Sequence, residues 1–356
     1  MTMKTAFRIG VTYCGYIRIL FITLLVSVAL STSAVAQTNT APEWLPDLLE
    51  KESITVVVTD SGLGGLSVVA DAAKKLKQTA VFKEVKLVFV NALFREEGGY
   101  NSLQTREDKL KVFSSALQSM QNHYAPDIIL VACNTLSVLA PDTEFARTSS
   151  TPVVGIVEDG VQQIATQLGG DPAAKNIIFA TQGTVDDGTH KNQLLELGFD
   201  DEQIVTQACP QLSLYIEQGF DSMYTEMLID AYVDEALSGM GETSGPLSVS
   251  FNCTHFGYSM EFWKLAFTSR GVEVAAFLNP NTQQIDFLLP ENLQQRHARS
   301  EVTVKVVSMT AIPADRQDSI GRYLHTVSAA TESALRGYEL RPDLFEWRSL
   351  VAGKPE

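Results

Sequence analysis

A chain of 356 residues with 45% hydrophobic residues is long enough to bury a substantial core, and we expect it to fold as two lobes. Charged residues make up 19% and no long low-complexity tract interrupts the chain, which argues against disorder. The formal net charge of −15 argues against nucleic acid as a partner.

The N-terminal segment, residues 1–36, has the composition of a secretory signal. Basic residues, the last of them Arg18, precede an apolar run at 19–30, and small residues lead to Ala36. This pattern is typical of a cleaved signal peptide, so we expect cleavage after Ala36 and a periplasmic or secreted protein. The run is short for a membrane span, and an uncleaved anchor is the weaker alternative. Membrane contact is expected only through this segment.

The number and spacing of the cysteines indicate functional free thiols rather than disulfides. Cys14 lies in the signal segment, so an exported chain keeps Cys133, Cys209 and Cys253, which are too few for a disulfide-stapled scaffold. No Cys-x-x-Cys pair occurs and the five histidines lack ligand spacing, so no metal site is expected. We interpret Cys209 as structural.

The first predicted strand covers residues 54–58, and a glycine-rich turn follows it. Gly62, Gly64 and Gly65 allow a tight turn and a close approach to a ligand, and the N-terminus of the helix that follows favours a carboxylate or phosphate. The spacing is neither that of a dinucleotide site nor that of a Walker motif. Asp60 beside the turn is suited to orient or deprotonate a neighbouring group.

Two further predicted strands end in similar polar strings. Residues 128–132 are followed by Cys133-Asn134-Thr135, and residues 247–251 by Asn252-Cys253-Thr254-His255. Open α/β sheets bind ligands at such strand ends. A single buried cysteine is usually a small core residue, but two copies suggest half-sites that face one pocket. Two thiols on opposite sides of a substrate carbon can remove and return a proton.

The C-terminal part carries weaker signals. Asn279-Pro280-Asn281 predicts a turn. We expect a late strand at 302–307 that returns to the first lobe, a helix pair across 310–336, and a loose tail over 341–356. No function is assigned to the tail.

Residues 54–278 carry six strings that resemble motifs of the glutamate racemases, within the aspartate/glutamate racemase superfamily. Asp60-Ser61-Gly62-Leu63-Gly64-Gly65-Leu66-Ser67 resembles the opening motif of that family. Cys133-Asn134-Thr135 and Cys253-Thr254-His255 resemble its two catalytic cysteine motifs, in the same order. Further strings that resemble the family lie between them, at 152–158, where the second lobe would begin, at 180–184 and at 208–217.

Departures from the family pattern concern the pocket wall and the compartment. A Pro-Tyr-Gly element of the family is replaced by residues 96–102, where only Tyr100 carries over. Asn252 precedes Cys253 in place of the usual glycine. Export is also a departure, since the family is usually cytoplasmic and supplies D-glutamate for peptidoglycan precursors.

The resemblance implies an α/β fold of two similar lobes, each a parallel sheet flanked by helices, with the active site in the cleft between them. Residues 50–152 and 275–340 would form a discontinuous first lobe, and residues 153–274 the second. Each lobe would supply one thiol.

The implied function is cofactor-independent racemisation of a small acidic amino acid, above all glutamate, with Cys133 and Cys253 as the two bases. Asp60 would support Cys133, and His255, oriented by Glu217, would support Cys253. No lysine Schiff-base motif occurs, so pyridoxal phosphate is not implied. The implied substrate-binding residues are Ser61, Tyr100, Asn134, Thr135, Thr184 and Thr254.

Two alternatives stay open at this point. One is an exported, non-catalytic amino-acid-binding protein of the same fold, which the altered 96–102 region favours and the retained thiols argue against. The other is a racemase or isomerase for aspartate or another small carboxylate. The sequence leaves the oligomeric state open, a homodimer included.

Overall fold

The computed structural model describes residues 42–96, 98–241 and 244–351. The predicted signal peptide and its cleavage site after Ala36 lie outside these residues. Within them, no helix combines the length and the apolar composition that a membrane crossing requires. Strands and helices alternate along this part of the chain, as the α/β prediction expects.

The strands, numbered along the described chain, are β1 Ser53–Asp60, β2 Glu84–Asn91, β3 Ile128–Val131, β4 Val153–Gly155, β5 Lys175–Ala180, β6 Ile204–Ala208, β7 Leu247–Asn252, β8 Ala276–Leu278, β9 Glu301–Ser308 and β10 Glu339–Leu340. Among the described residues they form two sheets, ordered β10-β9-β2-β1-β3-β4 and β6-β5-β7-β8. Every strand pair in both sheets is parallel. The fold is thus the predicted α/β class with two parallel sheets.

The helices, numbered in the same way, are α1 Trp44–Glu50, α2 Leu66–Thr79, α3 Arg106–Tyr124, α4 Asn134–Ser137, α5 Glu144–Thr148, α6 Val157–Leu168, α7 Gln182–Asp187, α8 Thr189–Glu196, α9 Leu212–Gly219, α10 Met223–Met240, α11 Met260–Ser269, α12 Ala314–Val327, α13 Ala329–Arg336 and α14 Arg348–Val351. Helices α2, α12 and α13 cover one face of the six-stranded sheet, and α3, α5 and α14 cover the other. Helices α6 and α8 pack on one side of the four-stranded sheet, and α10 and α11 on the other.

Strand β1 illustrates why the central strands are almost purely apolar. Val56 and Val58 belong to the core that includes α2, whereas Val57 faces the core that includes α3. All three are buried. A parallel strand covered on both faces needs apolar residues at every position rather than an alternating pattern, which explains the continuous valine run.

The predicted boundary between the lobes is wrong at both ends. Strand β4, at 153–155, pairs with β3 and completes the six-stranded sheet, although the sequence placed it at the start of the second lobe. Strand β8, at 276–278, pairs with β7 in the four-stranded sheet, although residues from 275 onward were assigned to the first lobe. Each is a three-residue strand that forms one edge of its sheet. Strand β9 then pairs with β2 and returns the chain to the six-stranded sheet.

The expected loose tail is also corrected over residues 341–351. Leu344 and Phe345 are 2% and 5% exposed, and they pack in the same core as α3. Ser119 on α3 donates a hydrogen bond to the Leu344 carbonyl, and Trp347 packs against Phe94 with ring centroids 4.9 Å apart. This apolar anchorage was hidden in the sequence because two adjacent residues make no periodic pattern.

Candidate active site

A cavity of about 240 Å³ lies where strand ends of both sheets meet. Asp60 ends β1, Cys133 follows β3 and Cys253 follows β7 directly. The cavity is lined by all the site residues predicted from the sequence: Asp60, Ser61, Tyr100, Cys133, Asn134, Thr135, Thr184, Glu217, Cys253, Thr254 and His255. Motifs that are far apart in the chain therefore converge on one site.

Cys133 occupies the N-cap position of α4, in an extended backbone conformation, and is 7% exposed. Its Sγ lies 3.2 Å from Ser61 Oγ. Burial first, and then the negative charge of Asp60, raises the pKa of the Cys133 thiol to about 12. Cys133 therefore carries its proton in the free protein at neutral pH.

Asp60 is the last residue of β1 and is almost completely buried. Burial raises the pKa of its carboxyl to about 6, although the charge on His255 opposes the shift. Asp60 Oδ2 has no hydrogen-bond partner among the described residues. At neutral pH the site thus holds a carboxylate with an open acceptor oxygen.

Cys253 faces a histidine that is itself tied to a carboxylate. Cys253 Sγ lies 3.8 Å from His255 Nδ1, and His255 Nε2 lies 2.8 Å from Glu217 Oε1. Although burial alone would lower the pKa of His255, its hydrogen bonds to Cys253 and Glu217 raise that pKa well above the usual value. Burial alone would likewise raise the pKa of Glu217, but the bond to His255 lowers it. The result is an imidazolium beside the Cys253 thiol.

The glycine-rich turn packs against this group. A Cβ on Gly62 would lie 3.0 Å from Glu217 Oε1, and one on Gly64 would lie 2.1 Å from Thr254 Oγ1. A side chain at Gly64 would collide with Thr254, and one at Gly62 would crowd Glu217, so these two glycines let the turn lie directly against side chains of the second lobe. The Leu63 N–H, between them, donates to Glu217 Oε1 at 2.8 Å.

Three threonine hydroxyls form a triangle in the cavity lining. Thr135 Oγ1 lies 3.2 Å from Thr181 Oγ1 and 3.1 Å from Thr184 Oγ1, and the latter two lie 3.0 Å apart. Thr181 was not among the predicted site residues, although it lies in the 180–184 string. Its side chain also caps α7 by accepting from the Thr184 N–H, so it fixes the position of Thr184.

Two asparagine amides in the cavity wall are buried without partners. Asn134 is 3% exposed and Asn252 is 0% exposed, and neither amide nitrogen nor amide oxygen of either has a hydrogen-bond partner among the described residues. Buried polar groups are normally paired, so these four atoms are available to a polar ligand. Asn252 was not among the site residues predicted from the sequence, although its position next to Cys253 could have identified it.

Tyr100 is the one residue of the altered 96–102 region that was predicted to reach the site, and it lines the cavity. Its ring packs edge-on against Phe94 and Phe113, with centroids 5.1 and 6.1 Å away. Its hydroxyl is buried and has no partner in the described part of the chain. Burial raises the pKa of Tyr100 well above the usual value, so this hydroxyl can donate a hydrogen bond but does not ionise near neutral pH.

Cys209 is a buried residue outside the cavity lining. Its Sγ lies 3.8 Å from the Gln207 carbonyl oxygen. Cys133, Cys209 and Cys253 are all free thiols. Within residues 42–96, 98–241 and 244–351, no group of three His, Cys, Asp or Glu side chains is arranged to hold a metal ion.

Curated relatives with similar sequences are glutamate racemases. The glutamate racemase of a Nitratiruptor species is 28% identical over 202 residues, which are 56% of this chain and 70% of that protein. The one from Geobacter metallireducens is 26% identical over 200 residues, 56% of this chain and 67% of that protein. No family model matches the chain.

Solved structures with the same fold are also glutamate racemases. The enzyme from Thermus thermophilus, in complex with beta-chloro-D-alanine, has a TM-score of 0.57 at 21% identity and covers 79% of this chain and 96% of its own. The enzyme from Francisella tularensis, in complex with D-glutamate, has a TM-score of 0.57 at 19% identity, covering 77% and 95%. The resemblance predicted from the motifs is confirmed, and the fold is that of the glutamate racemases.

Proposed function

We propose that this chain, which shares its motifs and fold with the glutamate racemases, racemises an acidic amino acid without a cofactor, glutamate above all. The observation that carries the proposal is the pair of cavity thiols, each with its own acid-base neighbour. Cys133 has Asp60 and Ser61, and Cys253 has His255 backed by Glu217. Neither arrangement is needed for binding alone.

The proposed reaction moves one proton at each thiol. Cys253, which lies beside His255, acts as the base from its deprotonated form and takes the α-proton of the L-enantiomer, so that the Cα–H bond breaks and an S–H bond forms. The carbon then takes a proton from Cys133 on the other face, which leaves that thiol deprotonated. The raised pKa of Cys133 supports its role as the proton donor in the direction from the L- to the D-enantiomer. The reverse direction exchanges the two roles.

The unpaired polar atoms of the cavity support an acidic amino acid as the ligand. The Asn134 and Asn252 amides and the threonine hydroxyls can donate to carboxylate oxygens, while Asp60 Oδ2 can accept from the ammonium group. Such hydrogen bonds would offset the free-energy cost of removing these buried groups from water. The D-glutamate bound in the Francisella tularensis structure is the kind of ligand this cavity would take.

Incubation in deuterated buffer tests the proposal. The purified mature chain should exchange and invert the α-proton of L-glutamate, followed by proton NMR and chiral chromatography, with L-aspartate in parallel. The Cys133→Ala/Cys253→Ala double variant is the control and should do neither. Binding of glutamate without exchange would refute the enzyme proposal in favour of a binding protein. Inversion of aspartate alone would change the substrate.

We also propose that the mature protein works outside the cytoplasm. The support is the order of basic, apolar and small residues over 1–36. Cell fractionation with N-terminal sequencing should find a mature chain that begins at Gln37 in the periplasm or the medium. A chain with Arg8 and Arg18 replaced by glutamate should accumulate unprocessed, as the matched control. A cytoplasmic protein that still carries Met1 would contradict export.

A further inference from the structure

One face of α12 joins the two lobes through a row of polar contacts to α9 and the residues after it. Arg316 Nη1 donates to Glu217 Oε2 at 3.1 Å. One turn further, Ser319 Oγ accepts from the Phe220 N–H at 3.1 Å, and at the outer end Arg322 pairs with Asp221. Helix α12 follows a strand of the six-stranded sheet, whereas α9 follows a strand of the four-stranded sheet.

The inner and outer contacts of this row differ in what they touch. Arg322 and Asp221 are about half exposed, and the pair lies away from the cavity lining. Arg316 lines the cavity, and its partner Glu217 has a side chain only 8% exposed. Arg316 is the one lysine or arginine among the described residues that line the cavity.

The contacts of Glu217 show what Arg316 does there. Arg316 occupies Oε2, while Oε1 accepts from the Leu63 N–H and lies 2.8 Å from His255 Nε2. The positive charge of Arg316 is also one of the causes that lower the pKa of Glu217. With Oε2 held by a guanidinium on the other lobe, the carboxylate plane is fixed and Oε1 stays directed at the histidine.

We propose that Arg316 is a positioning residue for the Cys253 half of the site. It acts through Glu217 and His255. The reactivity of the Cys253 thiol therefore depends on the packing of α12 against α9. This inference rests on the proposed function, since a racemase needs the two thiols tuned separately. Cys133, whose neighbours are Asp60 and Ser61, has no hydrogen bond to Arg316, Glu217 or His255 in the described part of the chain.

The test replaces Arg316 by methionine, which keeps the aliphatic length but removes the charge and the donors. Alkylation by iodoacetamide at pH 7.5, followed residue by residue with mass spectrometry, should slow at Cys253 by about tenfold, the effect expected when one charge-assisted hydrogen bond is lost. The rate at Cys133 should stay unchanged. Arg316→Lys, which restores the charge, should recover part of the Cys253 rate.

Arg322→Met is the matched control, because it removes the outer arginine of the same helix face without touching Glu217. It should leave both alkylation rates and the racemisation rate at wild-type values. An unchanged Cys253 rate in Arg316→Met, or equal slowing of both thiols, would overturn the inference. Thermal unfolding of each variant separates these results from general destabilisation.

Racemisation adds a second readout that keeps the two proposals apart. In the Cys133→Ala background, Arg316→Met should reduce deuterium exchange of L-glutamate at Cys253 by about tenfold, whereas in the Cys253→Ala background D-glutamate exchange should be unaffected. An inactive wild-type protein would refute the proposed function, yet the alkylation result would still decide the part played by Arg316.

Discussion

Replacing either Cys133 or Cys253 by alanine should abolish net racemisation, while each variant keeps exchange at one face of the substrate. Inversion needs a base on one face and an acid on the other, so one thiol cannot complete it. The surviving thiol can still remove a proton and return a solvent deuteron to the same face. By analogy with the glutamate racemases, the variant that keeps Cys253 should label L-glutamate and the one that keeps Cys133 should label D-glutamate.

Proton NMR of the α-position in deuterated buffer measures this pattern. Loss of net inversion should be on the order of 10²-fold or more, as for a positioned acid-base group. Cys209→Ala is the matched control, because this thiol is equally buried but lies outside the cavity lining, and it should racemise like the wild type. Inversion at a near wild-type rate by either cavity variant would rule that cysteine out as a base.

Asp60→Asn should make the free protein more stable and the enzyme much slower. The folded state raises the pKa of this acid from 3.8 to about 6, so between these values the folded state binds more protons than the unfolded chain. Stability therefore falls as pH rises through that window, and above it the ionised carboxylate costs about 3 kcal/mol. Asparagine cannot ionise, so the variant avoids this cost at neutral pH.

Urea unfolding at pH 7.5 and pH 5 measures the stability change, which should be smaller at the lower pH. Racemisation should fall by about 10²-fold or more, because the amide has neither the negative charge nor the basicity of the carboxylate beside Cys133. Asp159→Asn is the control: its carboxyl also has a pKa raised to about 6, chiefly by burial, but it lies outside the cavity lining. A variant that is no more stable at pH 7.5, or that racemises normally, would contradict this account.

The sequence alone predicted the parts of the site that lie at strand ends. An apolar run followed by Cys-Asn-Thr or Cys-Thr-His locates both the strand and the thiol, because parallel strands place their carboxyl ends at one edge of a sheet. The local strings therefore identified Cys133, Cys253 and Asp60 without any knowledge of their spacing in the fold.

The residues that were missed acquire a role only through contacts between distant segments. Arg316 belongs to an ordinary amphipathic helix, and it matters because α12 packs against α9. Asn252 is one residue from a recognised motif, yet its burial depends on the packing of α6 against β7. Strands β4 and β8 have three residues each, which is too short for a periodic pattern to show. The sheet that each one joins therefore depends on which sheet edge is accessible in the folded protein.

The high pKa of Cys133 has a consequence for successive turnovers. A molecule that carries L-glutamate to D-glutamate by the proposed route ends with its proton on Cys253, whereas the molecule that bound the substrate held it on Cys133. The protein that releases product is thus a protonation isomer of the one that began, and it must trade protons with water before it repeats the same direction. Every further turnover in the same direction therefore includes this reset of the empty site in addition to the chemistry at the carbon.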